Sequence, residues 1–188
     1  MSKQTLPDFL SHYYEGTDGP FRNLSDLPLS EADLILQQIR SGENRRFAKQ
    51  RQADYLSVRR SLEDRVRELF IAKGGRPRRE RPHYMIVGAC PWLISWYPQG
   101  CELRIPLSAF SAEIVSFTYG DTFPAMRFQD GKPYRRQVYT LAGLPGLIEQ
   151  YGLPQDWNAQ GIFGPDRYIE AQVRADEPLE SYLLRPQE

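Results

Sequence analysis

Few side chains in this sequence have the chemistry of a metal centre or of a nucleophile. His12 and His83 are the only two histidines, too few for a three-histidine metal site. Cys90 and Cys101 lie too far apart for the close cysteine pairs of a zinc site. The sequence also contains no glycine-rich phosphate loop, no nucleophile elbow and no His-Glu-x-x-His motif. We therefore expect no metal.

A Cys-His nucleophile pair formed by Cys90 and His83 is one covalent alternative. On a single strand, odd and even positions point to opposite faces, so these two side chains would point apart. A cysteine without a positively charged setting keeps its proton and is inert. We therefore interpret Cys90 as an ordinary thiol.

One carboxylate near the carboxyl end is notable for its place in a strand pattern. Residues 167–173 alternate, with Ile169, Ala171 and Val173 on one face and Tyr168, Glu170 and Gln172 on the other. Glu170 is therefore an ionisable group on the polar side of this strand. That side either faces solvent, as polar strand faces commonly do, or faces a pocket in which the carboxylate could take part in a reaction.

The helices that must position these residues are marked by their apolar spacing. Ser30, with Asp33 three residues later, predicts the start of a helix that ends near 41–42. A second helix follows, and Gly74 can end it. Its apolar stripe consists of Tyr55, Val58, Leu62, Val66, Leu69 and Phe70, and its outer face of Arg59, Arg60, Glu63, Asp64, Arg67 and Glu68. We predict an amphipathic surface helix and then an exposed connector at 76–82.

Strands are predicted at 9–14, 83–87, 102–107, 113–119 and 167–173. Pro106 places the third of these near a sheet edge, because proline cannot donate to a strand ladder. Short helices are predicted to begin at Pro91 and at Thr140. Strands and helices are interspersed without a regular βαβ rhythm. We therefore expect one α+β domain over 1–188, with a mixed or mostly antiparallel sheet and helices on the outside.

The charges are unevenly distributed although the formal net charge is zero. Residues 40–81 contain fourteen basic and six acidic residues, a net charge of +8 that the rest of the chain offsets. One interpretation is a surface for a polyanion such as nucleic acid, and the other is a solvated helix face with a basic connector. The arginines that would contact nucleic acid are Arg59, Arg60, Arg76, Arg78, Arg79 and Arg81.

Neither a secretory signal nor a membrane helix is predicted. The first ten residues lack a basic stretch followed by a long apolar run. No later stretch approaches the roughly 18 apolar residues that a membrane helix needs. We therefore expect a cytoplasmic protein with no membrane partner.

Two resemblances to known families are carried by short segments. GPFRNLSDLPL (19–29), RPHYMIVG (81–88), VSFTYGDTFP (115–124), YGLPQDWN (151–158) and GPDRYIEAQV (164–173) resemble a family of bacterial proteins of unknown activity. The order of several segments also resembles the DNA-targeting ADP-ribosyltransferase toxins called DarT. These are Ser11-His12-Tyr13-Tyr14, His83-Tyr84-Met85-Ile86, Cys90-Pro91-Trp92-Leu93, Phe117-Thr118-Tyr119-Gly120 and residues 167–173. The pattern departs from DarT at Tyr14 and Tyr119, where those enzymes have threonine and aspartate.

The resemblance to DarT implies an ADP-ribosyltransferase-like fold that binds NAD between two small sheets and transfers ADP-ribose to an unidentified acceptor. It implies a catalytic role for Glu170, whose carboxylate would stabilise the positive charge that develops as nicotinamide leaves. The cofactor-binding residues that it implies are His12, Tyr13, Tyr14, Tyr84 and Thr118. It also implies a catalytic arginine before the central strand, which the sequence leaves open among Arg59, Arg60 and the arginines of the connector.

Two functions of other classes stay open beside the transferase. One is a non-catalytic interaction module whose basic segment, 40–82, docks an acidic partner or nucleic acid. The other is a subunit of a larger assembly that uses exposed aromatic side chains as a contact surface.

Overall fold

Six strands form one antiparallel sheet in the computed structural model, which describes residues 6–41 and 54–183. The strands are β1 (Phe9–Glu15), β2 (His83–Val87), β3 (Gly100–Pro106), β4 (Val115–Tyr119), β5 (Tyr139–Thr140) and β6 (Ile169–Val173). Their order across the sheet is β3-β1-β2-β6-β4-β5, and each neighbouring pair is antiparallel. The α+β class and the antiparallel sheet are therefore confirmed, and β3 lies at an edge as its proline predicts.

The helices are α1 (Leu29–Ser41), α2 (Tyr55–Ala72), α3 (Thr122–Arg127), α4 (Leu144–Tyr151), α5 (Pro154–Trp157) and α6 (Glu177–Leu183). Helix α1 begins at Leu29, one residue before the predicted start at Ser30, because the carbonyl of Pro28 already accepts the N–H of Ala32. The predicted helix at Pro91 is a 3-10 turn, Pro91–Trp96. Thr140 caps a 3-10 turn that leads directly into α4.

The sheet is covered on both faces. On one face, Met85, Phe117 and Ala171 pack with α4 and α6 through Leu147 and Leu179 in the main hydrophobic core. We name the opposite side the polar face. It carries Ser116, Thr118, Glu170 and Gln172, all buried, and Tyr84, which is partly buried.

Helix α2 covers the polar face, and this corrects the prediction of its orientation. Glu63, predicted on the outer side, is 1% exposed, and the side chain of Arg59 is 15% exposed. The predicted charged face therefore turns partly inward. The reason is that the polar face offers hydrogen-bonding groups such as the Tyr84 hydroxyl, so buried charges find partners there.

The expectation of two small sheets is wrong, because β1 and β2 join in a single sheet. The joint is narrow, since Ser11 and Ile86 form the one register pair within the two strands, and Leu10 adds an isolated bridge to Gly88. By contrast, β1 and β3 pair over all seven residues of each strand. Beyond Ser11 the two strands separate. The ring of His12 occupies the gap, where its Nδ1 lies 2.9 Å from the carbonyl oxygen of Tyr84.

Among the described residues, no helix is both long and apolar enough to cross a membrane.

Candidate functional site

A cleft of about 1070 Å³ opens where β1 and β2 separate. Its size lies at the upper end of ordinary ligand sites. The sheet contributes His12, Tyr84 and Glu170, α2 contributes Arg59, and the 3-10 turn after β2 contributes Trp96. The two ends of the sequence-predicted site, His12 and Glu170, thus line one cavity.

The two carboxylate oxygens of Glu170 have different surroundings. Oε1 accepts hydrogen bonds from the Thr122 N–H at 3.2 Å, the Thr122 hydroxyl at 2.5 Å and Gln172 Nε2 at 3.2 Å. Oε2 has no partner among the described residues. One oxygen is therefore anchored, and the other is available to a ligand in the cleft.

Glu170 is only 6% exposed, so its side chain does not face open solvent. Burial, and then the negative charge of Asp121, raise the pKa of Glu170 to about 8. A carboxyl group with a raised pKa in a cleft is a candidate for a functional residue.

His12 lines the cleft, but both nitrogens of its ring are already used. Nδ1 donates to the Tyr84 carbonyl at 2.9 Å, and Nε2 accepts the backbone N–H of Phe21 at 2.9 Å. This pattern fixes a neutral ring with its proton on Nδ1. Burial lowers the pKa of His12 to about 4, which agrees with the neutral form. A hydrogen bond from His12 to a cofactor would therefore have to replace one of these two.

The predicted tyrosines Tyr13, Tyr14 and Tyr84 also line the cleft. The hydroxyl of Tyr13 donates to Glu102 Oε1 at 2.8 Å and accepts the Cys90 N–H at 2.7 Å. Tyr14 stacks near His12, with ring centroids 5.5 Å apart. Their aromatic faces, rather than the Tyr13 hydroxyl, are therefore the groups that a ligand could contact.

Thr118, the last predicted cofactor-binding residue, is fully buried and is not among the residues that line the cleft. It lies opposite Glu170 in the register of β4 and β6. Its hydroxyl accepts Gln172 Nε2 at 2.9 Å, and the same nitrogen contacts Glu170. Thr118 therefore helps to hold Gln172, which donates a hydrogen bond to Glu170.

Among the arginines left open by the sequence, only Arg59 lines the cleft. Its guanidinium lies 4.9 Å from the ring centroid of Tyr84, as in a cation–π contact. Glu63 Oε1 accepts from Arg59 Nε at 3.0 Å and from the Tyr84 hydroxyl at 2.8 Å. Glu63 thus fixes the stacked pair in place.

The other arginines of the basic segment are engaged elsewhere. A separate pocket of about 490 Å³ is lined by Ser25, Asp26, Leu27, Pro28, Arg60, Arg79, Glu80 and Arg81. Arg79 pairs with Asp26 and with Asp176, each at 2.7 Å. Arg81 pairs with Asp64 at 2.7 Å, and its side chain is 12% exposed. The predicted exposure of the connector is therefore wrong for these two arginines, because carboxylates from other segments cover them.

Arg76 and Arg78 form exposed ion pairs with Glu113 and Glu177, at 3.4 Å and 2.6 Å. Arg60 donates to the carbonyls of Ser25 and Leu27. The basic residues of the segment at 45–51 lie outside the described residues.

The cysteines give no sign of reactivity. Cys90 is fully buried, and burial raises its pKa to about 12, which disfavours the thiolate. Cys101 is a free thiol as well. No group of three or more His, Cys, Asp or Glu side chains within 6–41 and 54–183 is arranged to hold a metal ion.

Sequence reasoning missed Glu63, Arg22 and Trp96 as residues of this site. Arg22 and Trp96 line the cleft, and Glu63 lies behind it. Glu63 lies four residues after Arg59, a spacing that indicates an ion pair but not which side of the helix is buried. No comparable signal in the sequence marks Arg22 or Trp96.

Comparisons with models of protein families, with curated proteins and with solved structures found no match to this chain. The resemblance to DarT therefore rests on the short segments alone.

Proposed function

We propose that this protein binds NAD in the cleft and transfers ADP-ribose to an acceptor, with Glu170 as the catalytic residue. The observation that carries the proposal is the arrangement of Glu170, whose Oε1 is held by Thr122 and Gln172 while Oε2 is left free in a cleft shared with His12 and Tyr84.

The reaction needs a carboxylate at this place. The bond between nicotinamide and ribose breaks, nicotinamide leaves with the electron pair, and the ribose carbon becomes positively charged. A nucleophile of the acceptor then bonds to that carbon and loses its proton. Glu170 Oε2 can accept a hydrogen bond from a ribose hydroxyl and stabilise the charge as it develops.

The raised pKa of Glu170 is compatible with this role, because NAD changes the charge in the cleft. The nicotinamide ring of NAD is positively charged, and a nearby positive charge favours the ionised carboxylate. In the free protein, with a pKa of about 8, the ionised fraction rises with pH. We therefore expect kcat/KM to increase as pH rises towards about 8.

Arg59 is the arginine that the geometry favours for contact with the cofactor. Of the arginines that the sequence left open, Arg59 is the one that lines the cleft. Its stacking on Tyr84 holds its positive charge beside the tyrosine ring. Its charge is partly compensated by Glu63, so its role in this proposal is to orient the ligand by hydrogen bonds rather than to attract it from solution.

Calorimetric titration with NAD and an assay for released nicotinamide test the proposed function. Wild-type protein is expected to bind NAD and to release nicotinamide in the presence of an acceptor-containing extract. Glu170→Gln should keep NAD binding within severalfold and lose turnover by about a hundredfold or more. Glu149→Gln, a change at an exposed position on α4, serves as the control. Absence of NAD binding at millimolar concentration would remove the proposal.

The interaction-module function is less well supported by the described part of the chain. Most of the arginines named for it already pair with carboxylates of the same molecule. Filter binding to single-stranded DNA or RNA at two salt concentrations tests it, because phosphate contacts weaken strongly as salt rises.

A further inference from the structure

Arg22 lines the cleft, and its guanidinium forms no ion pair with any carboxylate of the described residues. Its Nε donates to the Asp18 carbonyl at 3.0 Å, and its two terminal nitrogens have no partner among the described residues. It is exposed, whereas Arg59 is largely buried and paired with Glu63. Arg22 is thus a cation available to an anionic ligand of the cleft.

The backbone just before Arg22 is held in an unusual conformation. Phe21 has φ of 60°, in the left-handed region that aromatic residues rarely adopt. Such strain persists only where surrounding contacts enforce it, and it is common at ligand-binding sites. This conformation is a second observation, independent of the charge, that points to a function at this loop.

Three contacts enforce the conformation of Phe21. Its N–H donates to His12 Nε2 at 2.9 Å. Its ring stacks on the His12 ring with centroids 4.2 Å apart, and it meets the His83 ring edge-on at 5.3 Å. Because Phe21 is fixed in this way, the Cα of Arg22 has a fixed place at the mouth of the cleft.

We propose that Arg22 binds the diphosphate of the dinucleotide in the cleft, and that His12 acts as a positioning residue by fixing the Phe21 backbone. A guanidinium with two free terminal nitrogens matches phosphate oxygens in a forked geometry. This inference rests on the proposed function, because it takes the ligand to be NAD.

Calorimetric titration of single and double variants with ADP and with NAD tests the inference. Arg22→Ala is expected to weaken both ligands by about tenfold to a hundredfold, whereas Arg22→Lys should weaken them less, because lysine keeps the charge but not the fork. Arg65→Ala, which removes an exposed arginine of α2 outside the cleft, should leave both affinities unchanged. The positioning role of His12 is read from His12→Gln, which should weaken ADP binding in the wild-type background but have no further effect in Arg22→Ala.

The two proposals fail in different ways. Equal binding of ADP to wild-type protein and Arg22→Ala, or no binding of ADP to either, would overturn the role of Arg22. Arg22-dependent binding of ADP without any release of nicotinamide from NAD would support the diphosphate site and overturn the transferase. Circular dichroism spectra of the variants confirm that each is folded.

Discussion

Glu170 is costly to the fold in the state that the proposed reaction requires. The carboxyl group is buried, and its pKa of about 8 means that the native protein resists its ionisation. Residues placed for catalysis are often suboptimal for stability. The pH dependence of folding can therefore report on Glu170 without any knowledge of the acceptor.

We expect Glu170→Gln to be more stable than the wild type in mildly alkaline solution. An unfolded glutamate ionises near pH 4.5, whereas native Glu170 keeps its proton until about pH 8. The contribution of protonated Glu170 to the free energy of unfolding is therefore complete below pH 4.5 and is lost as pH rises through 8. Glutamine has no proton to lose and does not undergo this loss. The difference should reach several kcal/mol at pH 8.5, and it is measured by urea denaturation at pH 5 and 8.5. Equal pH dependence in both proteins would contradict the burial of this carboxyl group.

His12 should make the protein sensitive to acid. Its pKa falls from 6.5 to about 4 on folding. The contribution of neutral His12 to the free energy of unfolding is therefore present above pH 6.5 and is lost as pH decreases through 4. The loss should amount to about 3 kcal/mol, and His12→Gln should remove most of it. Burial also lowers the pKa of His83, so His83 still makes that variant sensitive to acid to some extent. Denaturation curves at pH 7, 5.5 and 4.5 measure the difference, and a variant as acid-sensitive as the wild type would show that His12 is not buried as a neutral ring.

At the scale of elements, α2 joins the loop before α1, the sheet and the connector through one buried residue. Glu63 Oε1 accepts from Ser25, Arg59 and Tyr84, at 2.8, 3.0 and 2.8 Å. Two of these donors, Ser25 and Tyr84, lie outside α2. Arg81 of the connector adds a third link, with its Nη1 3.5 Å from Glu63 Oε2. A buried carboxylate with several donors stabilises the geometry of its partners, and removal of the carboxylate leaves all of them unsatisfied.

Glu63→Ala is therefore expected to lower the free energy of unfolding by about 3 kcal/mol or more. Glu63→Gln should cost less, because it keeps an acceptor for the Tyr84 hydroxyl. Asp64→Ala is the matched control, since Asp64 is the next residue of the helix and its side chain is 52% exposed in its pair with Arg81. That change should cost about 1 kcal/mol or less. Urea denaturation measures all three, and equal losses for Glu63→Ala and Asp64→Ala would contradict the buried role of Glu63.

Most elements were predictable from the sequence because their periodicity is local. The alternation of β4 and β6, the glycine that ends α2 and the proline at the edge strand β3 all act within a few residues. What the sequence could not decide is which polar face becomes buried. Alternation separates Gln172 from Val173 without indicating that a helix covers Gln172 as well.

The candidate site was predictable in part, for a different reason. The order of short segments that resembles DarT points to His12 and Glu170, and the cleft contains both. The choice among the arginines needed tertiary structure, because it depends on the rotation of α2 relative to the sheet. Arg59 and Arg60 are neighbours in sequence, yet one lines the cleft and the other lines a different pocket.

At the scale of the whole molecule, ion pairs of the basic connector join segments that are distant in sequence. The basic connector pairs with acidic residues of the turn before α1, the loop before β4 and the region around the start of α6. Exposed pairs of this kind each contribute little to stability, but together they hold the connector against these three segments. A charge run in sequence therefore does not by itself indicate a surface for nucleic acid.

The cleft lies at the narrow joint between β1 and β2, so a bound ligand would contact both parts of the sheet. Within the two strands, one register pair, Ser11 with Ile86, crosses this joint, and Leu10 adds a bridge to Gly88. Residues on each side of the joint line the cleft. Ligand contacts on both sides should oppose separation of the strands, and any ligand that binds only the native state raises its stability. We therefore expect NAD at a hundred times its Kd to add about 2.7 kcal/mol.

For a chain of this length, that increment corresponds to a rise in Tm of about 5–10 °C, which differential scanning fluorimetry can measure. Nicotinamide alone, which lacks the parts of NAD that would reach across the joint, should give a much smaller rise at equal concentration. A rise of equal size with nicotinamide would indicate that the ligand contacts only one side of the joint. No rise with NAD at millimolar concentration would mean that the cleft does not bind the dinucleotide at all.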